Sequence, residues 1–296
     1  MTSVSTRRAT LIGCGAVALW ALLALLTTAA GPIPPFQMTA MTFAIAALLA
    51  LGKWLWFGES IRAHLALPLP VWTLGVFGLF GFHALFFTAL KLAPPVEANL
   101  INYLWPLLIV IFAAVLLGER LRWWHVAGAV LGLAGAVLLI GGGGQGFDAS
   151  HALGYAAALC SAVTWAVYSV LSRRFGAIPT DAVGGFCCAT AALAAVLHLA
   201  LETTAWPVGS QWLAILALGV GPVGAAFFLW DYGVKRGDIR ALGALSYLTP
   251  LFSTLLLIAF GRAAGGWSVA VACALIVGGA VLAGHEMLVR RKPAGT

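Results

Sequence analysis

Apolar runs of about 20 residues recur along the whole chain, each closed by a cluster of Pro, Gly or charged residues. A run of that length is what a helix needs to cross a bilayer. Cutting at those clusters predicts ten spanning helices, at about 9–30, 36–57, 69–90, 95–117, 121–142, 152–173, 180–201, 210–233, 238–260 and 266–288. Lipid offers no partner for open backbone groups, so an all-α integral membrane bundle follows.

The basic residues test that count, because cytoplasmic loops carry the excess of Lys and Arg. With both termini inside, the inner segments hold Arg7, Arg8, Lys53, Arg62, Arg120, Arg122, Arg173, Arg174, Lys235, Arg236, Arg240, Arg290, Arg291 and Lys292. The outer loops hold only Lys91 and Arg262. Adding or losing one helix would scramble this fourteen-to-two division. The net charge of +7 is therefore a topology signal and not a nucleic-acid surface.

The pattern also repeats. "NYLWPLL" at 102–108 realigns with "SYLTPLF" at 246–252 at an offset of 144, which also pairs Lys91 with Lys235 and Trp123 with Trp267. Trp20-Ala21 pairs with Trp165-Ala166 at an offset of 145. Two halves of five helices follow, 1–148 and 149–296. Five is odd, so equivalent helices run in opposite directions, the inverted repeat that places a solute site between halves near the bilayer midplane.

Composition agrees: 62% of the 296 residues are hydrophobic, 8% are charged, and mean hydropathy is +1.02. The five cysteines fall in apolar spans without ligand spacing and read as small buried hydrophobes. Arg7-Arg8 before Leu11-Ile12-Gly13-Cys14 loosely imitates an export signal, but no hydrophobic region separates the arginines from Cys14, so an uncleaved first helix is expected.

"ALKLAPPVEANLINYLWPLLIVIFAAVLLGERL" (89–121) and its counterpart "GVKRGDIRALGALSYLTPLF" (233–252) carry a resemblance to the drug/metabolite transporter superfamily, EamA type. The fourth helix, with its proline and its Gly118-Glu119-Arg120 ending, is similar to that family's commonest motif. The second half departs from it, with Gly261-Arg262-Ala263 in place of the acidic pattern. Within the family, "VEANLINYLWPLL" most resembles the bacterial aromatic amino acid exporters. The resemblance implies a multi-pass inner-membrane protein that moves a small solute by alternating access.

Polar side chains at membrane depth face a cavity or another helix, because lipid offers them nothing. Asn99, Asn102, Tyr103 and Pro106 share one helical face with Trp105 at its edge, and Gly243, Ser246, Tyr247 and Pro250 are their counterparts. Each proline frees a carbonyl one turn earlier, so Pro106 and Pro250 are expected to let the lining helices bend. Interhelical glue is the alternative for the Asn and Ser side chains. Trp20 and Trp165 fall mid-span, unlike the eight tryptophans near span ends that read as interfacial anchors, and are either packing filler or a stacking wall for a ligand; Trp230 stays undecided. His83 is the ionisable side chain nearest a span centre and could orient a solute carboxylate or sit neutral against a neighbouring helix. Asp231 and Lys235 read as a local i,i+4 pair, His198 and Glu286 as interfacial. Gly128 and Gly132 permit close helix packing, and "GGGGQG" (141–146) reads as a flexible outer loop.

The absences narrow the solute. Span centres hold no Asp, Glu, Lys or Arg, which argues against a cation antiporter, a phosphate carrier and a nucleotide-sugar carrier. Neither a metal cluster nor a cofactor motif is present in the sequence; an enzyme should present a catalytic dyad or metal set at membrane depth, and a scaffold would not explain two matching polar, proline-bearing helices. A neutral amphipathic solute remains, an aromatic amino acid above all, with threonine-like amino acids or purines as the nearer alternative. Without an intramembrane carboxylate, facilitated movement is expected rather than obligate proton coupling. The sequence leaves the oligomeric state open, and one chain would suffice in principle.

Overall fold

The computed structural model describes residues 5–140, 148–261 and 266–283, so the predicted glycine loop, Arg262, Glu286 and the last basic cluster lie outside the described residues. Within them the regular elements are all helical. Nine stretches are long and apolar enough to cross a membrane: Thr6–Ala30, Pro35–Trp56, Leu69–Leu92, Pro95–Leu117, Trp123–Ile140, Ala149–Phe175, Ala182–Leu201, Gln211–Arg236 and Ile239–Ala259. They are spans 1 to 9. Span 10 is Trp267–Ala283, described over 17 residues.

Five of these spans are interrupted within their length. Span 1 breaks at Ala21 and Leu22, directly after Trp20. Span 4 breaks at Tyr103 and Leu104, and span 9 at Ser246 and Tyr247. Pro106 is the second residue of the segment after the first break and Pro250 the third after the other, where a missing N–H leaves no helical bond unmade. Both prolines are thus buried starts of a second segment rather than kinks within a continuous one. Spans 3 and 8 each contain one π turn, Phe77–Gly81 and Gly221–Ala225, again 144 residues apart.

Three of the five counterpart pairs pack on one another and run antiparallel. In spans 5 and 10, a Cβ on Gly128 would stand 2.6 Å from the Gly279 carbonyl, and one on Gly135 2.9 Å from that of Ala272. In spans 2 and 7, Gly184 meets Ala50 while Glu202 meets Phe36. In spans 4 and 9, Gly243 meets the Pro106 carbonyl while Tyr247 meets that of Tyr103. Spans 1 and 8 pack on one another, and so do their counterparts 6 and 3, each pair antiparallel: Gly13 meets Gly233 while Thr10 meets Gly237, and Gly78 meets Tyr168 while Gly154 meets Ala93. Each contact has its repeat-related partner, which is what two halves related by a two-fold axis produce.

At the span 5–span 10 crossing the backbones touch because neither glycine has a side chain, as the small-residue spacing predicted. Gly128→Ala should therefore lower stability by about 1–3 kcal/mol through overpacking. The check is the thermal midpoint of purified protein in detergent, with Gly278→Ala, where a Cβ would meet open space, as the neutral control.

Candidate functional site

The three indoles of Trp20, Trp105 and Trp165 meet edge to face, with centroids 5.7–6.3 Å apart. Trp230 lies against all three, fully buried, and donates its N–H to Ser169 Oγ at 3.0 Å. This aromatic layer is the floor of a cavity of about 840 Å³, within the range of small-molecule sites. The walls come from Phe82, His83, Phe86 and Phe87 on span 3 and from Pro222, Val223 and Phe227 on span 8. Asn99, Asn102 and Tyr103 of span 4 and Thr249 and Ser253 of span 9 complete them. The mouth lies at the end marked by Thr27, Thr28, Leu90 and Pro95, and Thr27, Thr28 and Pro95 are exposed there.

The π turns supply the polar anchoring. A π turn breaks the regular i→i−4 ladder and leaves carbonyls for other donors. Trp20 Nε1 donates to the Pro222 carbonyl at 3.0 Å, joining span 1 to the turn in span 8. His83 Nδ1 lies 2.6 Å from the Leu79 carbonyl in the turn of span 3. A carbonyl can only accept, so Nδ1 carries a proton, and in the neutral tautomer Nε2 is an acceptor. Asn102 Oδ1 accepts from the Ser161 hydroxyl at 2.8 Å, so its amide N–H groups remain as donors. Among the described residues neither the Trp105 nor the Trp165 indole N–H has a protein acceptor, and neither is sealed from the cavity.

Of the residues singled out in sequence, Trp20, His83, Asn99, Asn102, Tyr103, Trp105 and Trp165 come together around this space. Ser246, Tyr247, Pro106 and Pro250 do not. Ser246 is fully buried with its hydroxyl on the Leu242 carbonyl. Tyr247 is turned toward span 5, where its ring fills the place of a side chain at Gly132, and its hydroxyl donates to the Tyr103 carbonyl at 3.1 Å. The cause is the break at 246–247, which puts Thr249 and Ser253, an i,i+4 pair, on the cavity side instead. The Phe82, His83, Phe86, Phe87, Leu90 face of span 3 was readable as one helical stripe, but its aromatic positions pass for lipid-facing residues without the fold.

The opposite end is tied shut. Lys235 and Asp231 form a buried ion pair at 2.9 Å, as their spacing predicted. Thr180 donates to the same carboxylate at 2.7 Å, and Lys235 to the Ile178 carbonyl at 3.2 Å. Gly118 ends span 4 with φ +69°. That places Glu119 3.4 Å from Arg173 and 4.0 Å from Arg240, so the Gly-Glu-Arg ending joins spans 4, 6 and 9. Burial raises the cost of charge on Asp238, but hydrogen bonds from Arg240 and the Ala241 N–H hold its carboxyl below the ordinary value. Glu59, His64 and Asp181 cluster within 4.8 Å, yet the Lys53 ammonium already bonds Asp181 at 2.7 Å.

Two sequence readings need correction. His198, expected at the interface, is buried and bonds Glu202 and Thr204, while Glu202 caps the start of span 2 through the N–H groups of Phe36 and Gln37. Carboxyl groups do lie within the spans: Asp231 in span 8 and Glu97 in the first turn of span 4 are each 2% exposed. The helix starts at Pro95, as expected, and its first turn carries Glu97 into the interior.

A multi-pass helical membrane protein whose inverted halves enclose a solute-sized cavity, open at one end, is built as a secondary transporter. The profile of the EamA-like transporter family matches residues 7–141 and 152–284, and the chain belongs to that family. It is 55% identical over 290 residues to the aromatic amino acid exporter YddG of Ancylobacter novellus, covering 97% of this chain and 100% of that one. The aromatic amino acid exporter YddG of Salmonella typhimurium is 25% identical over 274 residues, 86% of this chain and 88% of that protein. A solved crystal structure matches with a TM-score of 0.92 at 54% identity, covering 97% of this chain and all of the other.

Proposed function

We propose that the protein exports aromatic amino acids and related neutral amphipathic solutes across the bacterial inner membrane, the two halves rocking about the cavity. The observation that carries this reading is the set of three indoles that line the cavity together, Trp105 and Trp165 without a protein acceptor for their N–H groups among the described residues. Ring contacts supply affinity for an aromatic side chain. The Trp105 and Trp165 N–H groups and the Asn102 amide are donors for a carboxylate, and His83 Nε2 is an acceptor for an ammonium group. Similarity to the two exporters named above supports the same solute class. With the inside-positive orientation, the mouth at Thr28 and Pro95 faces outward, so this conformation is the one that has delivered its solute. One chain encloses the whole cavity.

Proteoliposome counterflow tests it. Labelled Phe or Trp should exchange against unlabelled solute trapped inside, with threonine and purines competing poorly. Absence of exchange for either aromatic amino acid would overturn the solute class. Exchange that proceeds without a pH gradient is expected, and strict dependence on one would replace facilitated movement with obligate proton coupling.

A further inference from the structure

A two-fold axis between the halves gives each contact at the closed inner end a copy at the open outer end. One such pair of contacts is made at both ends. Gly13 of span 1 meets Gly233 of span 8, and their counterparts Ala158 and Ala89 share one buried cluster. Another is made at the inner end alone. Lys235, at the inner end of span 8, donates to the Ile178 carbonyl in the turn before span 7. Its counterpart is Lys91, 144 residues earlier at the outer end of span 3, and the turn before span 2 repeats the acceptor. "GAIPT" at 176–180 realigns with "GPIPP" at 31–35 at an offset of 145, which sets Ile178 on Ile33. Lys91 is exposed beside Leu90 of the mouth, with its ammonium 5.6 Å from the centroid of the Phe36 ring. Among the described residues no hydrogen bond reaches the Ile33 carbonyl. Lys91 also runs against the inside-positive rule, so membrane orientation does not account for it.

What holds each lysine differs. Lys235 has the Asp231 carboxylate one turn before it, buried with it. The residue one turn before Lys91, and the copy of Asp231, is Phe87. Phe87 meets Phe36 edge to face with centroids 5.9 Å apart, so two rings stand where the inner end has a carboxylate. A ring face holds an ammonium weakly while both remain wet, whereas a buried ion pair is costly to break. The inner tie is the firmer of the two, and the end with the weaker hold is the one that stands open.

We propose that Lys91 is the outer gate residue. As the mouth closes, its ammonium moves from the Phe36 ring to the Ile33 carbonyl, drawing Leu90 towards Thr28 across the mouth. That hydrogen bond ties span 3 to the start of span 2 as Lys235 ties span 8 to the start of span 7. The proposal rests on the alternating-access reading and names the residue that closes one side of it.

Labelling of Thr28→Cys by a membrane-impermeant thiol reagent, on the full-length protein in lipid without solute, reads how often the mouth is open. The parent protein with its five native cysteines supplies the background. Phe87→Asp places a carboxylate one turn before Lys91 and should slow labelling at least about fivefold. Adding Lys91→Met should return the rate to that of Thr28→Cys alone. A rate that Phe87→Asp leaves unmoved, or slows equally with and without Lys91, overturns the proposal. If Phe87→Asp does not fold, a short bifunctional thiol reagent decides. It should bridge Ile33→Cys with Lys91→Cys and leave Ile33→Cys with Leu92→Cys unbridged. No bridge, or equal bridging of the two pairs, overturns the gate. Neither measurement uses solute, so their failure removes the gate alone, while failure of aromatic amino acid exchange removes the solute class alone.

Discussion

Lys235→Met is expected to destabilise the protein by about 3–5 kcal/mol, the cost of leaving a buried charge without its partner. Asp231 and Lys235 are 2% and 4% exposed in their side chains, so water cannot replace the lost ammonium. The Thr180 hydroxyl remains as one hydrogen bond to the stranded carboxylate, too little to compensate. The double variant Asp231→Leu with Lys235→Met should recover most of the loss, since two apolar side chains in place of a buried pair are often neutral. Denaturant or thermal unfolding of both variants in detergent makes the comparison. Equal stability of the single and double variants would show that the pair is hydrated and contributes only locally.

Trp20→Ala should cost about 3–5 kcal/mol of stability and remove saturable solute binding. Its ring lies against Trp105, Trp165, Phe227 and Trp230, and its N–H holds the carbonyl of Pro222, so truncation opens the floor and unpairs the π turn together. Trp20→Phe separates the two effects. It keeps an aromatic surface but leaves the Pro222 carbonyl unbonded, at about 1–3 kcal/mol. Calorimetric binding of tryptophan beside the thermal midpoint distinguishes them, and wild-type affinity in Trp20→Ala would remove the indole floor from the solute pathway.

The ten spans and their inversion were legible because length, loop charge and a shifted copy each respond to one simple physical demand. The gathering of Trp20, Trp105 and Trp165 was legible in part, through their mid-span position and their pairing across the halves. Tyr247 was misplaced because helical-face geometry was carried across 246–247, where the helix stops. Nothing in the hydrophobic pattern marks a π turn, since "FGLFG" and "GPVGA" share little beyond small residues, so the partners of Trp20 and His83 were invisible. Glu97 fell inside the expected fourth span, near its end, and only the packing shows that the carboxyl is inside.

The two π turns also match the halves to each other. Each accommodates one residue more than a regular turn and so rotates everything beyond it by about 100° relative to an uninterrupted helix. They occupy the same register in both halves, at Phe77 and Gly221, although the residues within them have diverged. The extra residue in each half turns the segment beyond it, Phe82–Leu92 in one and Ala226–Arg236 in the other, by the same amount, so the two halves are matched here by geometry and not by residue identity.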